Sequence, residues 1–88
     1  MKNKVLVKLI VPELDYKIDV FIPVNEIVFE IKRSFVKAIS ELIGVTKTDR
    51  VMYVLVNRDN SRVYSDNEII INTDIRNGSE LLLISTIK

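Results

Sequence analysis

The spacing of apolar residues changes along this chain from every second position to every third or fourth. Between residues 24 and 43 the apolar side chains recur at helical spacing and share one broad stripe, with charged residues outside it. This pattern predicts an amphipathic helix, opened by Pro23 and closed by Gly44, that lies across a sheet. The apolar positions are Val24, Ile27, Val28, Ile31, Phe35, Ala38, Ile39, Leu42 and Ile43.

Two segments before the helix alternate apolar and polar residues, which is the pattern of strands. They cover residues 4–11 and 16–22, and a turn at residues 12–15 joins them. Pairing them as a hairpin with Lys8 opposite Asp19 brings opposite charges together on one face and aliphatic side chains together on the other. This register is therefore the one we expect.

Three further strands are expected after the helix, at residues 51–56, 62–64 and 81–86. The short middle one should pair back on the strand before it, and Asn77-Gly78 signals a tight turn before the last. The order is then β-β-α-β-β-β, with the first and last strands parallel at the centre of a mixed sheet. This is an α+β fold of β-grasp topology, and the 88 residues suit a single domain spanning residues 1–88.

Two residue types that many active sites use are missing. The chain has no histidine and no cysteine, so the usual general base, the thiol nucleophile and most transition-metal ligands are absent. Asp66, Glu68 and Asp74 lack the glycine and the spacing of a calcium loop, and we interpret them as solvated loop carboxylates. We expect no enzymatic activity, no cofactor and no metal site.

The distribution of charge argues against two classes of partner. Thirteen basic and twelve acidic residues are interleaved along the chain, whereas nucleic-acid binders concentrate Lys and Arg on one face. No apolar run approaches the roughly 20 residues that cross a bilayer. The N-terminal residues alternate like a strand rather than forming a signal peptide. We expect a cytoplasmic protein that neither binds nucleic acid nor inserts into a membrane.

Several short motifs resemble ubiquitin and, more closely, a bacterial family related to it. They are Pro23-Val24 at the start of the helix, Val56-Asn57 at the end of the third strand, and the segment from Ile75 to Leu81 with its Asn-Gly pair. In these features, and over essentially its whole length, the chain resembles the YukD/EsaB family. These are small ubiquitin-like proteins of Gram-positive type VII (WXG-protein, or Ess/Yuk) secretion loci.

The resemblance implies a cytoplasmic accessory or regulatory component of such a secretion system, whose partners are parts of the machinery. The chain has no glycine after Gly78, whereas conjugated ubiquitin-like modifiers and sulfur carriers end in Gly-Gly, so we expect neither activity here. The alternative is a small non-catalytic ubiquitin-like subunit of a multicomponent monooxygenase, since some of these enzymes carry one.

A helix that covers one face of the sheet leaves the other face bare. The alternation in the first hairpin, and the likeness to ubiquitin-like strands for the last two long strands, predict which side chains remain there. A contiguous apolar surface of this kind usually marks an interface. The alternatives are that some of these residues belong to the core, or that the surface forms a homodimer. The candidate protein-binding residues are Leu6, Phe21, Met52, Val54, Leu82 and Ile84.

Overall fold

Four strands and one helix appear in the computed structural model, which describes residues 3–43 and 51–87, with only the backbone described at Ile43, Val51, Met52 and Ile87. The elements are β1 (Lys4–Val11), β2 (Tyr16–Pro23), α1 (Val28–Ile43), β3 (Val51–Asn57) and β4 (Glu80–Ile87), with 3₁₀ turns at Pro12–Leu14 and Ile70–Asn72. The strands form one mixed sheet in the order β2-β1-β4-β3, with β1 and β4 parallel at its centre. This confirms the predicted β-grasp arrangement.

The register of the first hairpin is confirmed. Lys8 pairs with Asp19, and Leu6 pairs with Phe21 on the same face. The 3₁₀ turn ends at Asp15, whose φ of 50° lies in the left-handed region that Asp tolerates better than most residues. The turn therefore returns the chain directly into β2.

The core lies between α1 and one face of the sheet. Leu55, Leu81 and Leu83 are fully buried, which confirms that these positions of β3 and β4 point towards the helix. Because side chains alternate along a strand, the intervening residues occupy the opposite face. The core contains Val7, Leu9, Val11, Ile22, Val28, Ile31, Phe35, Ile39, Leu55, Tyr64, Ile70, Ile75, Leu81 and Leu83.

The Asn77-Gly78 turn attaches the start of β4 to the middle of β1. Gly78 has a φ of 89°, which L side chains rarely adopt. The Gly78 N–H donates to the Leu6 carbonyl at 2.8 Å. The Leu6 N–H in turn donates to the Asn77 side-chain oxygen at 2.7 Å. The predicted turn is confirmed, and it sets the parallel pairing of the two central strands.

The helix begins at Val28, so the prediction that Pro23 opens it is wrong. Pro23 is the last residue of β2, at a position where its missing N–H would point away from the sheet. The Val24 N–H continues the hairpin by donating to the Asn3 carbonyl at 2.9 Å, and the Val24 carbonyl accepts from Ile71 at 2.8 Å. These bonds to distant segments hold the chain after the proline in a turn, so the helix begins only at Val28. The predicted cap, Gly44, lies outside the described residues.

The predicted strand at residues 62–64 is reduced to an isolated bridge between Val56 and Val63. The Tyr64 N–H still donates to the Leu55 carbonyl at 3.0 Å, and the Asn57 N–H donates to the Arg62 carbonyl at 2.8 Å. The segment therefore returns beside β3 as predicted, but too briefly to form a strand. The sheet of the described residues has four strands rather than five.

A cluster of polar side chains holds the segment after β3 in place. The buried Asn57 donates from its amide to the Tyr64 hydroxyl at 3.1 Å, and that hydroxyl donates to the Asp74 carboxylate. The Arg62 guanidinium lies 4.9 Å from the centre of the Tyr64 ring. We call this set the Tyr64 cluster: Asn57, Asn60, Arg62, Tyr64, Glu68 and Asp74.

The loop carboxylates predicted to be solvated are partly exposed, and they are also bonded within the chain. Asp66 forms an ion pair with Lys32 at 2.6 Å, and Glu68 pairs with Arg62. Hydrogen bonds from Tyr64 and Asn60 hold the pKa of Asp74 below its usual value. Burial, and then the bond to Asp74, raise the pKa of Tyr64 to about 12. These groups help to build the fold.

The two faces of β4 can be compared at adjacent positions. Leu83→Ala removes a fully buried side chain and should lower the free energy of unfolding by about 2–5 kcal/mol. Leu82→Ala, on the half-buried opposite face, should cost about 1 kcal/mol. Urea unfolding followed by circular dichroism measures both values. Equal losses would contradict the assignment of the two faces.

Tyr64→Phe should lower the free energy of unfolding by about 1–2 kcal/mol at neutral pH, because Asp74 loses a donor. The raised pKa of Tyr64 stabilises the fold below pH 10, and this contribution is lost as the pH rises towards about 12. The lowered pKa of Asp74 stabilises it above about pH 4, and this contribution is lost on acidification. The difference in the free energy of unfolding between wild type and Tyr64→Phe should therefore become smaller at both acid and alkaline pH.

Unfolding curves of the two proteins across pH measure this difference. In a protein that already carries Asp74→Asn, the effect of Tyr64→Phe on the free energy of unfolding should change little as the pH is lowered. A difference that stays constant from pH 3 to about 12 would show that the Tyr64–Asp74 hydrogen bond does not contribute to stability.

Candidate functional site

The candidate surface is the face of the sheet opposite α1, which we call the open face. Leu6 and Phe21 lie on it as a directly opposed pair. Val54 and Ile84 form a second opposed pair on β3 and β4. Leu82 lies beside Ile10 of β1. Met52 pairs with Thr86 through the backbone, and its side chain is outside the described part of the structure.

These residues differ in how much of their surface reaches solvent. Phe21 is 52% exposed and Leu6 is 38% exposed, so this opposed pair presents adjoining apolar surface to solvent. Val54, Leu82 and Ile84 are half-buried by neighbours on the same face. The open face thus offers an exposed pair at one end and a flatter apolar area at the other.

A row of four charged residues runs across the open face and separates these two areas. Lys8 is paired in register with Asp19 on one side and Glu80 on the other. The Lys8 ammonium lies 3.5 Å from the Asp19 carboxylate, and the Arg58 guanidinium lies 2.6 Å from Glu80. We call Asp19, Lys8, Glu80 and Arg58 the charged row. The charged row therefore divides the predicted apolar surface into two separate areas.

An apolar row lies beside the charged row and is longer than the sequence indicated. Ile10 pairs with Leu82, Leu82 with Val56, and Val56 with Val63. Bridge partners project on the same face, so Val63, 56% exposed, extends this row to the edge of the sheet. Val63 was not predicted. A strand at residues 62–64 was predicted, but its side chains were not assigned to either face of the sheet. Alternation along that strand could have identified Val63, because the next residue, Tyr64, is buried.

The charges of this row are paired within the chain, so in a complex the row would add specificity more than affinity. Exposed ion pairs contribute about 0–1 kcal/mol each, but opposite charges in alternation favour one orientation of a partner. In a complex with another protein, apolar contacts on both sides of the row would provide most of the binding energy. The arrangement fits recognition of a protein surface.

Metal binding is another kind of site that carboxylates can provide. No three carboxylates of the described chain are grouped so that they could hold a metal ion.

No helix in the described residues has both the length and the apolar character needed to cross a membrane.

Comparison with known proteins rests on structure alone. No family model matches the sequence, and no curated protein matches it. A chain of the MycP5-free ESX-5 inner membrane complex superposes with a TM-score of 0.76 and 17% identity, over 98% of this chain. This chain spans 22% of the length of that one.

Two further solved structures match over nearly all of both chains. The EccD5 ubiquitin-like domain from Mycobacterium xenopi gives a TM-score of 0.75 and 15% identity, covering 97% of each chain. A chain of the toluene 4 monooxygenase HD complex gives 0.76 and 6% identity, covering 94% of this chain and 99% of that one. At these identities the likeness concerns the fold, and the fold of this chain is the ubiquitin-like β-grasp.

Proposed function

We propose that this chain is a non-catalytic, single-domain module that binds another protein through its open face. The observation that carries this proposal is the uncovered side of the sheet, where apolar residues flank the charged row. Phe21 and Val63 are each more than half exposed there. Exposed apolar side chains on both sides of an ordered set of charges are typical of recognition surfaces.

The biological setting we propose is a type VII secretion system of the Gram-positive Ess/Yuk kind, in which the chain is a cytoplasmic accessory or regulatory component. Two lines of support agree. The motifs at residues 23–24, 56–57 and 75–81 resemble the YukD/EsaB family. The fold is shared with a chain of the ESX-5 inner membrane complex and with the EccD5 ubiquitin-like domain. The partners would then be cytosolic parts of the secretion machinery.

A non-catalytic role agrees with the residue inventory and with the site. The chain has no histidine or cysteine, and the buried Tyr64, whose pKa is raised to about 12, keeps its hydroxyl protonated at neutral pH. The Tyr64 cluster supports the segment that carries Val63 on the open face. The cluster would therefore contribute to the binding surface by holding Val63 in position.

Phe21→Asp and Val63→Asp test the open face on opposite sides of the charged row. Both side chains are largely exposed, so each change should alter the free energy of unfolding by less than about 1 kcal/mol. Burying the new carboxylate against an apolar partner is unfavourable, and each change should weaken capture of secretion components at least about tenfold. Affinity capture from the source organism, quantified by mass spectrometry, measures this effect.

Ile71→Asp is the matched control, because Ile71 is 61% exposed and lies in the 3₁₀ turn away from the open face. In a strain that lacks the wild-type gene, the control should restore secretion of WXG proteins, and the two open-face variants should not. If folded Phe21→Asp and Val63→Asp proteins both support normal secretion and capture, the open face is not the binding surface.

A second candidate function is a non-catalytic subunit of a multicomponent monooxygenase. The match to a chain of the toluene 4 monooxygenase complex has the same TM-score, 0.76, as the match to the ESX-5 chain, and it supports keeping this alternative beside the secretion role. Affinity capture separates the two, because a hydroxylase that is lost with Phe21→Asp would replace the secretion assignment while leaving the open face as the site.

A further inference from the structure

The edge of the sheet formed by β2 is available for pairing with another strand. β1 and β4 exchange backbone hydrogen bonds through alternate residues of β1. The Lys8 N–H donates to the Ser79 carbonyl at 2.9 Å, and the Leu6 carbonyl accepts from Gly78 at 2.8 Å. The backbone groups of Leu6 and Lys8 are therefore directed towards β4. Those of the intervening residues are directed towards β2.

The same alternation decides which backbone groups of β2 are free. Val7 pairs with Val20 in the register, so Val20 and the residues two positions away from it use their N–H and C=O groups within the hairpin. Lys17, Asp19 and Phe21 direct theirs away from the sheet. No described residue bonds to these outward groups.

The other edge of the sheet differs, since it is already covered over part of its length. The Tyr53 carbonyl of β3 accepts from the Lys32 ammonium at 2.9 Å. The Leu55 carbonyl accepts from the Tyr64 N–H at 3.0 Å, and Val63 bridges to Val56. Of the two edges, β2 is the one that offers consecutive unpaired donors and acceptors in the described structure.

An apolar groove runs between this free edge and α1. It has a volume of about 100 Å³, and its walls include Ile18 and Val20 of β2 and Phe35, Ala38 and Leu42 of α1. Ile18 and Leu42 are both exposed. Ile18 lies on the side of the sheet that faces α1, and Leu42 lies on α1 itself. A strand added beside β2 would place every second side chain in this groove.

The groove continues towards Pro23, where its lining becomes acidic. Glu26 and Glu30 of this region line the adjoining cavity. The Glu30 carboxylate pairs with Arg33 at 2.9 Å, while that of Glu26 is exposed and has no ion-pair partner among the described residues. A basic side chain at this end of an incoming strand would therefore find a complementary charge.

We propose that β2 and the groove beside α1 bind an extended segment of a partner protein as an additional strand. The segment has aliphatic residues at alternate positions, which fill the groove, and a Lys or Arg near Glu26. Unpaired backbone donors and acceptors in a row are matched only by another extended backbone, which is the basis of strand addition. This surface is distinct from the open face.

A second copy of the chain is a less suitable occupant of the same edge. A copy paired through its own β2 brings a folded helix beside its strand, whereas a free segment has no such helix to accommodate near α1. Lys17 and Asp19 also place charges along the edge, and Pro23 ends its donors. Both features limit pairing between identical edges.

The test is a selection of random ten-residue peptides displayed on phage against the complete chain, followed by NMR titration with the synthetic peptides obtained. We expect alternately aliphatic sequences with a basic residue at one end. They should shift the amide signals of residues 17–21. N-methylation of the peptide at the pairing positions should abolish binding, because it removes the backbone donors.

Variants distinguish this surface from the open face. Ile18→Asp and Leu42→Asp should each weaken peptide binding at least about tenfold, while Glu26→Lys should weaken it and shift the preference away from basic peptides. Leu6→Asp, on the open face, should leave peptide binding unchanged, so failure of one surface does not imply failure of the other.

Three results would overturn the proposal. The first is a selection that yields no peptides, and the second is peptides whose binding survives Ile18→Asp or N-methylation. The third is sedimentation showing a dimer at micromolar concentration that Ile18→Asp dissociates, because a second copy would then occupy the edge.

Discussion

The parallel pairing of β1 with β4 is the contact on which the rest of the structure depends. It joins Leu9 to Leu81 across most of the chain length, and without it the sheet would be two separate pairs of strands, which are marginally stable in water. The turn at Gly78 docks on Leu6 and aligns the two strands. Once they are aligned, the buried residues of all four strands share one face, and α1 can cover them together.

The same pairing determines the pattern of the open face. Lys8 lies between Asp19 and Glu80 only because β1 is flanked by β2 and β4 in these particular registers. A shift of two residues in either register would preserve the faces but break the charged row. The charged row that divides the open face thus exists only when all four strands are paired. The apolar residues of the open face act as two groups on either side of a fixed set of charges.

The two edges of the sheet differ because the chain folds back beside β3 and not beside β2. The Tyr64 cluster holds residues 62–64 against β3, buries the Tyr64 ring in the core and places Val63 on the open face. No equivalent segment of the described chain lies beside β2. This asymmetry leaves the β2 edge free in the described structure and adds Val63 to the open face.

The residue pattern alone determined the four long strands, the helix stripe and the hairpin register, because each follows from local periodicity and from pairing nearby residues. The inward and outward faces of the last two strands were assigned from the likeness to ubiquitin-like strands. The residue pattern did not determine where α1 begins or the partners of Asp66, Glu68 and Asp74. Those depend on hydrogen bonds between segments far apart in the chain, such as Val24 with Ile71. The division of the open face and the free edge of β2 were likewise decided by the tertiary structure, since both follow from which strands become neighbours.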